Sequence, residues 1–252
     1  MDSAFALTFP CRLPRDPRGV RSSPSYRPML VAGRDNRYST GWSRFSPKTG
    51  RRLQCLSGYE NALSYLWDVT PYVLDYREQY PWVSDDLLRQ IRLFPDVKIS
   101  RDKLRTVDFV LTLLREDRSI GYSVVSFKPA AQCQKPQVQR RLQSEENNCL
   151  DFGWTYDRCT EENLKPEEIN SAKQIMSWAG DVPFDEVHCE AKVISDYVRT
   201  KNRGQPLDDL LAGAAFELNT SFDGAYQMFA AAVCLGYLPL KLDEKLSLTN
   251  PL

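Results

Sequence analysis

Histidine is almost missing from this 252-residue chain, where His188 stands alone. One imidazole excludes most histidine-based chemistry, including His-rich metal sites, His-Asn-His nucleases and triads that need several candidate bases. The seven cysteines, Cys11, Cys55, Cys133, Cys149, Cys159, Cys189 and Cys234, are odd in number, scattered and free of any C-x-x-C pair. That pattern excludes a zinc ribbon and a disulfide framework, and leaves separate reduced thiols in a cytosolic protein as the expectation. Long apolar runs are also lacking. The longest, Met228 to Leu240, is shorter than the roughly 20 residues of a membrane span. Asp2, Arg12, Arg15 and Arg18 interrupt any leader-like run at the start, so no secretory leader is expected. Hydrophobic residues at 42%, charged residues at 26% and a mean hydropathy of −0.46 suit a soluble chain with a sizeable core.

Net charge is zero, yet the charge is unevenly placed. Residues 1–52 hold eleven Lys and Arg against three acids, residues 53–165 fifteen against seventeen, and residues 166–252 seven against thirteen. The basic first segment is rich in Pro, Ser and Gly, with Tyr26, Tyr38 and Trp42 interleaved. It buries little by itself and is expected to be a nucleic-acid contact arm, because arginines on phosphates release counterions. A solvated tail is the plain alternative.

Ser57 to Asp68 is expected to be a helix opened by an S-x-x-E capping box that includes Glu60. A strand over 73–80, a short helix over 85–94, strands over 106–115 and 121–128 in a hairpin, a helix over 136–150 and a strand over 152–156 follow. That order predicts an α/β sandwich around a mixed sheet. Beyond Lys165, helices are expected over 166–178, 183–201, 206–214 and 222–235. A terminal hairpin of 237–240 with 245–248 would close a winged-helix-like module.

Glu60, Asp108 and Lys128 form the most informative constellation. Asp108 interrupts an apolar strand between Val107 and Phe109, where a carboxylate is costly unless paired or holding a metal. Lys128 ends the next strand, so both polar heads can emerge on one sheet edge, with Glu60 closing the cluster from its helix. Hard oxygen ligands beside a lysine suit Mg²⁺-assisted phosphodiester hydrolysis, with Mn²⁺ as a substitute. A salt bridge between Asp108 and Lys128 and a purely capping Glu60 are the plain alternatives.

Four stretches, Arg52 to Leu66, Val73 to Pro81, Thr106 to Val110 and Ser123 to Pro129, together with Arg158 to Lys173, resemble the TnsA family. That family supplies the endonuclease subunit of heteromeric cut-and-paste transposases. The resemblance implies a restriction-endonuclease-like PD-(D/E)xK core, a mixed sheet flanked by helices, followed by a mostly helical winged-helix-like C-terminal domain. The chain then divides into a basic arm over 1–45, which lies outside the resemblance, a catalytic domain over 46–164 and the C-terminal domain over 165–252. The resemblance further implies cleavage of transposon 5′ ends, with Glu60, Asp108 and Lys128 as the catalytic residues. The implied partners are transposon-end double-stranded DNA, a TnsB-like transposase and a TnsC-like AAA+ ATPase, with no membrane and a cytoplasmic location.

One position departs from the family pattern. Where a Gln or Glu is expected two residues before the lysine, this chain has Ser126. A hydroxyl is a poorer direct Mg²⁺ ligand, so it would act through a water, or Phe127 would offer its backbone carbonyl. A catalytically weakened structural subunit is therefore the alternative reading. Glu145 and Glu146 are candidate substitute carboxylates, against a solvated helix face. Arg44, Lys48, Arg51, Arg52, Lys135, Arg140 and Arg141 are the candidate DNA contacts. The acidic C-terminal segment fits protein docking, and contact with the ATPase, better than a DNA-reading face.

Overall fold

A computed structural model describes residues 13–35, 40–93, 100, 103–243 and 246–249. A hairpin of β1 (Trp42–Ser46) and β2 (Arg51–Cys55) leads into α1 (Gly58–Val69). The main sheet has the order β3-β4-β5-β6, from β3 (Val73–Pro81), β4 (Thr106–Leu114), β5 (Ile120–Phe127) and β6 (Thr155–Cys159). The first three strands are antiparallel, and β6 joins β5 in parallel. A parallel neighbour needs a crossover. Here it is the short α3 (Ala130–Cys133) followed by α4 (Pro136–Asp151). A small helix, α2 (Asp85–Leu93), lies between β3 and β4.

The sheet has a hydrophobic layer on each face. Leu63 and Trp67 of α1 pack with Tyr76, Phe109, Leu111, Val125 and Phe127 on one side. On the other, Cys149 packs with Tyr80, Val107, Val110, Val124 and Trp154. A four-stranded mixed sheet between helices is the α/β core expected from the order of elements.

A third core belongs to α5 (Pro166–Ala179), α6 (His188–Lys201), α7 (Leu207–Glu217) and α8 (Phe222–Cys234). Val69 at the end of α1 is part of it, and Tyr65 and Leu66 pack against it, so α1 serves both halves. The hairpin expected after α8 is not formed. Among the described residues of 237–240 and 246–248 there is no strand, and Lys245 lies outside the described residues. Leu238, Leu240, Leu242 and Leu246 instead lie along the helical core as an irregular tail. No helix is long and apolar enough to cross a membrane, among the described residues.

The basic arm also differs from expectation. Its described part is folded into the molecule, with Asp16, Arg18, Val20, Ser22 and Tyr26 buried. β3 is an edge strand, and an open edge invites unwanted pairing. The arm covers it. Tyr80 donates to Asp16 at 2.8 Å, Tyr26 to the carbonyl of Glu78 at 2.8 Å, and the amide of Met29 to Gln79 at 3.3 Å. Arg18 donates to the carbonyl of Pro81 at 3.1 Å and lies over the rings of Trp82 and Phe152. The composition suggests a contact arm, or else a solvated tail, because its few apolar residues are too sparse for a core of their own. They are used against a neighbour's core instead.

Candidate active site

The hydrogen-bonded register of β4 and β5 runs to Phe109 opposite Val125 and stops there. Beyond it the two strands part, and ladder groups left open must find other partners. Asp108 supplies one, because its Oδ2 accepts the amide of Phe127 at 2.7 Å. The same oxygen accepts Lys128 Nζ at 2.8 Å. Lys128 also donates to the carbonyl of Phe127 at 2.6 Å, so one lone pair of that candidate metal donor is occupied. Oδ1 of Asp108 accepts no hydrogen bond among the described residues.

Glu60 comes to this end of the sheet from the first turn of α1. Ser57 accepts the Glu60 amide at 3.2 Å, which caps the helix as the sequence suggested. The Glu60 carboxylate does more than close the cap. It accepts the amide of Leu56 at 2.8 Å, the Ser57 hydroxyl at 3.1 Å and Gln79 Nε2 at 3.0 Å. Burial, then the negative charge of Asp108, push its pKa up to about 7, against the pull of those three donors. The charge of Asp108 is thus felt at Glu60, and Lys128 is bonded to Asp108.

Two carboxylates at one end of the sheet, one with an open oxygen, are hard donors of the kind a divalent cation takes. Among the described residues no three His, Cys, Asp or Glu side chains are yet gathered around one point. The fit to Mg²⁺ thus rests on the Glu60 and Asp108 pair.

Ser126 already has a carboxylate partner. Its hydroxyl donates to Glu145 Oε2 at 2.8 Å. Glu145 is only 5% exposed, so the solvated-face alternative does not hold for it. It also accepts Tyr156 at 3.0 Å and Arg141 Nε at 2.7 Å. Glu146 instead pairs with Arg158 on a more open surface.

Three candidate DNA contacts point inward. Arg44 pairs with the buried Asp68 at 2.7 Å and lies over Tyr65. Lys48 donates to the carbonyls of Trp67 and Thr70 at 2.7 and 2.6 Å, capping the end of α1, and burial lowers its pKa to about 8. Arg51 pairs with Glu78 at 2.6 Å and donates to the carbonyl of Tyr76. None offers its charge to a phosphate. The sequence could not separate them from Arg52, which is exposed on the same hairpin, because both acidic partners lie far along the chain. Lys135, Arg140 and Arg141 are exposed on and beside α4.

Gln79 was not anticipated. It has a φ of 48°, unusual for a residue with a side chain. Its amide bridges Glu60 and the hydroxyl of Thr106, the latter at 3.2 Å. Nothing in the run Glu78-Gln79-Tyr80 signals that turn of the backbone. A separate cleft of about 590 Å³, lined by residues including Arg18, Trp82, Arg105 and Phe152, contains none of Glu60, Asp108 and Lys128.

Residues 70–161 match the family described as TnsA-like endonuclease N terminal. The match takes in Asp108, Ser126, Lys128 and Glu145 and starts after Glu60. The chain is also 28% identical over 202 residues to the transposon Tn7 transposition protein TnsA of Escherichia coli, covering 75% of this chain and 68% of that protein.

Proposed function

On the premise of a TnsA-family protein, which the matched nuclease domain and the Tn7 relative support, we propose that this chain is the Mg²⁺-dependent endonuclease subunit of a Tn7-like transposase. Its reaction is hydrolysis of one phosphodiester at each transposon 5′ end during cut-and-paste transposition. The observation that carries this reading is the Lys128–Asp108 pair at the parted end of β4 and β5, with a Glu60 carboxylate that feels the charge of Asp108.

Glu60 and Asp108 would hold the cation. A cation held there would supply polarisation of the phosphoryl group and easier ionisation of a water. Lys128 is already anchored on Asp108 and the Phe127 carbonyl, so its ammonium has little freedom left to lose. It orients the attacking water or offsets charge building on the phosphoryl oxygens. Gln79 holds Glu60 in place. Arg52, Lys135, Arg140 and Arg141 are the exposed cations for the DNA backbone. The acidic helical half docks a TnsC-like ATPase, a TnsB-like transposase cuts the other strand, and the work is done in the cytoplasm.

A second reading is favoured by Ser126, which gives its hydroxyl hydrogen to Glu145. In that reading the chemistry has weakened, and the chain bridges DNA ends and partners. A nicking assay on transposon-end DNA with Mg²⁺ and the partner transposase decides. A 5′ cut lost in Asp108→Ala supports the enzyme. No 5′ cut by the unaltered chain, with the 3′ cut intact, supports the bridge.

A further inference from the structure

Glu145 is buried within a helix that is otherwise strongly polar, and its carboxylate takes donors from three elements: Ser126 of β5, Tyr156 of β6 and Arg141 of its own helix. An exposed i,i+4 pair would be worth little and would leave both side chains loose. Here one partner is fixed, so the other is fixed through it. Arg141 is held twice, with Nε on Glu145 and Nη2 on the carbonyl of Thr106 at 3.1 Å. Thr106 is two residues before Asp108. The Arg141 side chain is still about half exposed. Burial disfavours its charge, but the hydrogen bond and charge of Glu145, then the charge of Asp108, outweigh this and raise its pKa.

We propose that Arg141 grips a DNA phosphate next to the scissile bond, and that Glu145, steadied by Ser126 and Tyr156, is the positioning residue that aims it. The proposal rests on the nuclease reading for the location of the scissile bond. It also explains the serine at position 126, whose hydroxyl orders the carboxylate that orders the arginine. A planar guanidinium pinned along one edge keeps its other donors for an anion, which a lysine there would not do. Because the arginine is held before DNA arrives, little side-chain entropy is lost on contact.

The test measures binding of a fluorescent DNA duplex to the full chain over a range of salt concentrations. Arg141→Ala is expected to lower the slope of log affinity against log salt by about 0.9, one phosphate contact, with about a tenfold loss of affinity. Arg141→Lys should keep the slope and lose affinity. Glu145→Gln should weaken binding in the unaltered chain but not in the Arg141→Ala background. Mn²⁺ binding, followed by its paramagnetic resonance signal, should be unchanged by Arg141→Ala and Glu145→Gln. An unchanged slope in a folded Arg141→Ala protein overturns the proposal. So does loss of Mn²⁺ binding in Glu145→Gln, which would make Glu145 a metal ligand. If Glu145→Gln does not fold, the two Arg141 variants still decide. The slopes need no cleavage, so a chain that binds as expected yet never cuts would sink the nuclease reading alone.

Discussion

The ammonium of Lys128 lies 2.8 Å from Oδ2 of Asp108, across the end of the sheet where β4 and β5 separate. Both side chains are mostly covered, and the pair is joined by the Phe127 amide on the same oxygen. Removing Asp108 therefore leaves the Phe127 amide and the Lys128 ammonium without that acceptor but also removes a negative charge felt at Glu60. Asp108→Ala should cost about 1–3 kcal/mol of stability and leave a cooperative unfolding transition. In the same variant the carboxyl carbon resonance of Glu60, followed by NMR, should titrate below the value of about 7. An unmoved Glu60 titration would show that the two carboxylates do not share a site.

The stability of the metal-free chain should depend on pH through Glu60. The carboxyl is raised from 4.5 to about 7 in the folded state. Between those values the folded chain keeps a proton that the unfolded chain has released. Stability from this group is fully present below about pH 4.5 and falls as pH rises to about 7, by at most about 1.4 kcal/mol per pH unit. Glu60→Gln removes that slope, which urea titrations at several pH values can measure. Mn²⁺ affinity should move the opposite way, rising with pH up to about 7, because a ligand must be deprotonated.

Arg51 and Arg52 are neighbours with opposite prospects. Arg51→Ala strands the buried Glu78 and should destabilise the chain by about 3–5 kcal/mol. Arg52→Ala should change stability by less than about 0.5 kcal/mol. Denaturant midpoints compare them directly, and equal midpoints would refute the inward role of Arg51.

Removal of residues 1–31 uncovers the β3 edge and leaves Arg77, Glu78 and Tyr80 without the cover of Asp16, Ser22 and Tyr26. The expected result is loss of several kcal/mol, comparable with the whole stability of a domain. Thermal unfolding of the truncated chain checks this. A truncated chain with an unaltered midpoint and weaker DNA binding would restore the contact-arm reading.

Much of the sheet was legible because its strands are long and apolar. Thr106–Leu114 and Ile120–Phe127 are rich in large and β-branched residues, and a polar tetrapeptide separates them. The Ser57 cap was legible for the same local reason, since its signature spans four residues. β1 and β2 were not. Arg44, Lys48 and Arg51 resemble a solvated basic run until Asp68, the end of α1 and Glu78 are placed beside them. The last strand was expected at 152–156 and forms at Thr155–Cys159, because Trp154 turns into the core just before it. Within the site, the Lys128–Asp108 pair follows from strand order, and the place of Glu60 from its helix start. The Gln79 bridge and the Ser126–Glu145–Arg141 chain depend on side-chain directions that no local pattern encodes.

Helix α1 turns Leu63 and Trp67 toward the sheet and Tyr65, Leu66 and Val69 toward the helical half. The two halves are thus not detachable modules. Ending the chain at residue 164 would strip one flank of that rod down to greasy side chains facing water. A nuclease fragment made that way calls for polar replacements at Tyr65, Leu66 and Val69 before its solubility can be trusted. Grafting a foreign helical half would succeed only if it brought a matching groove.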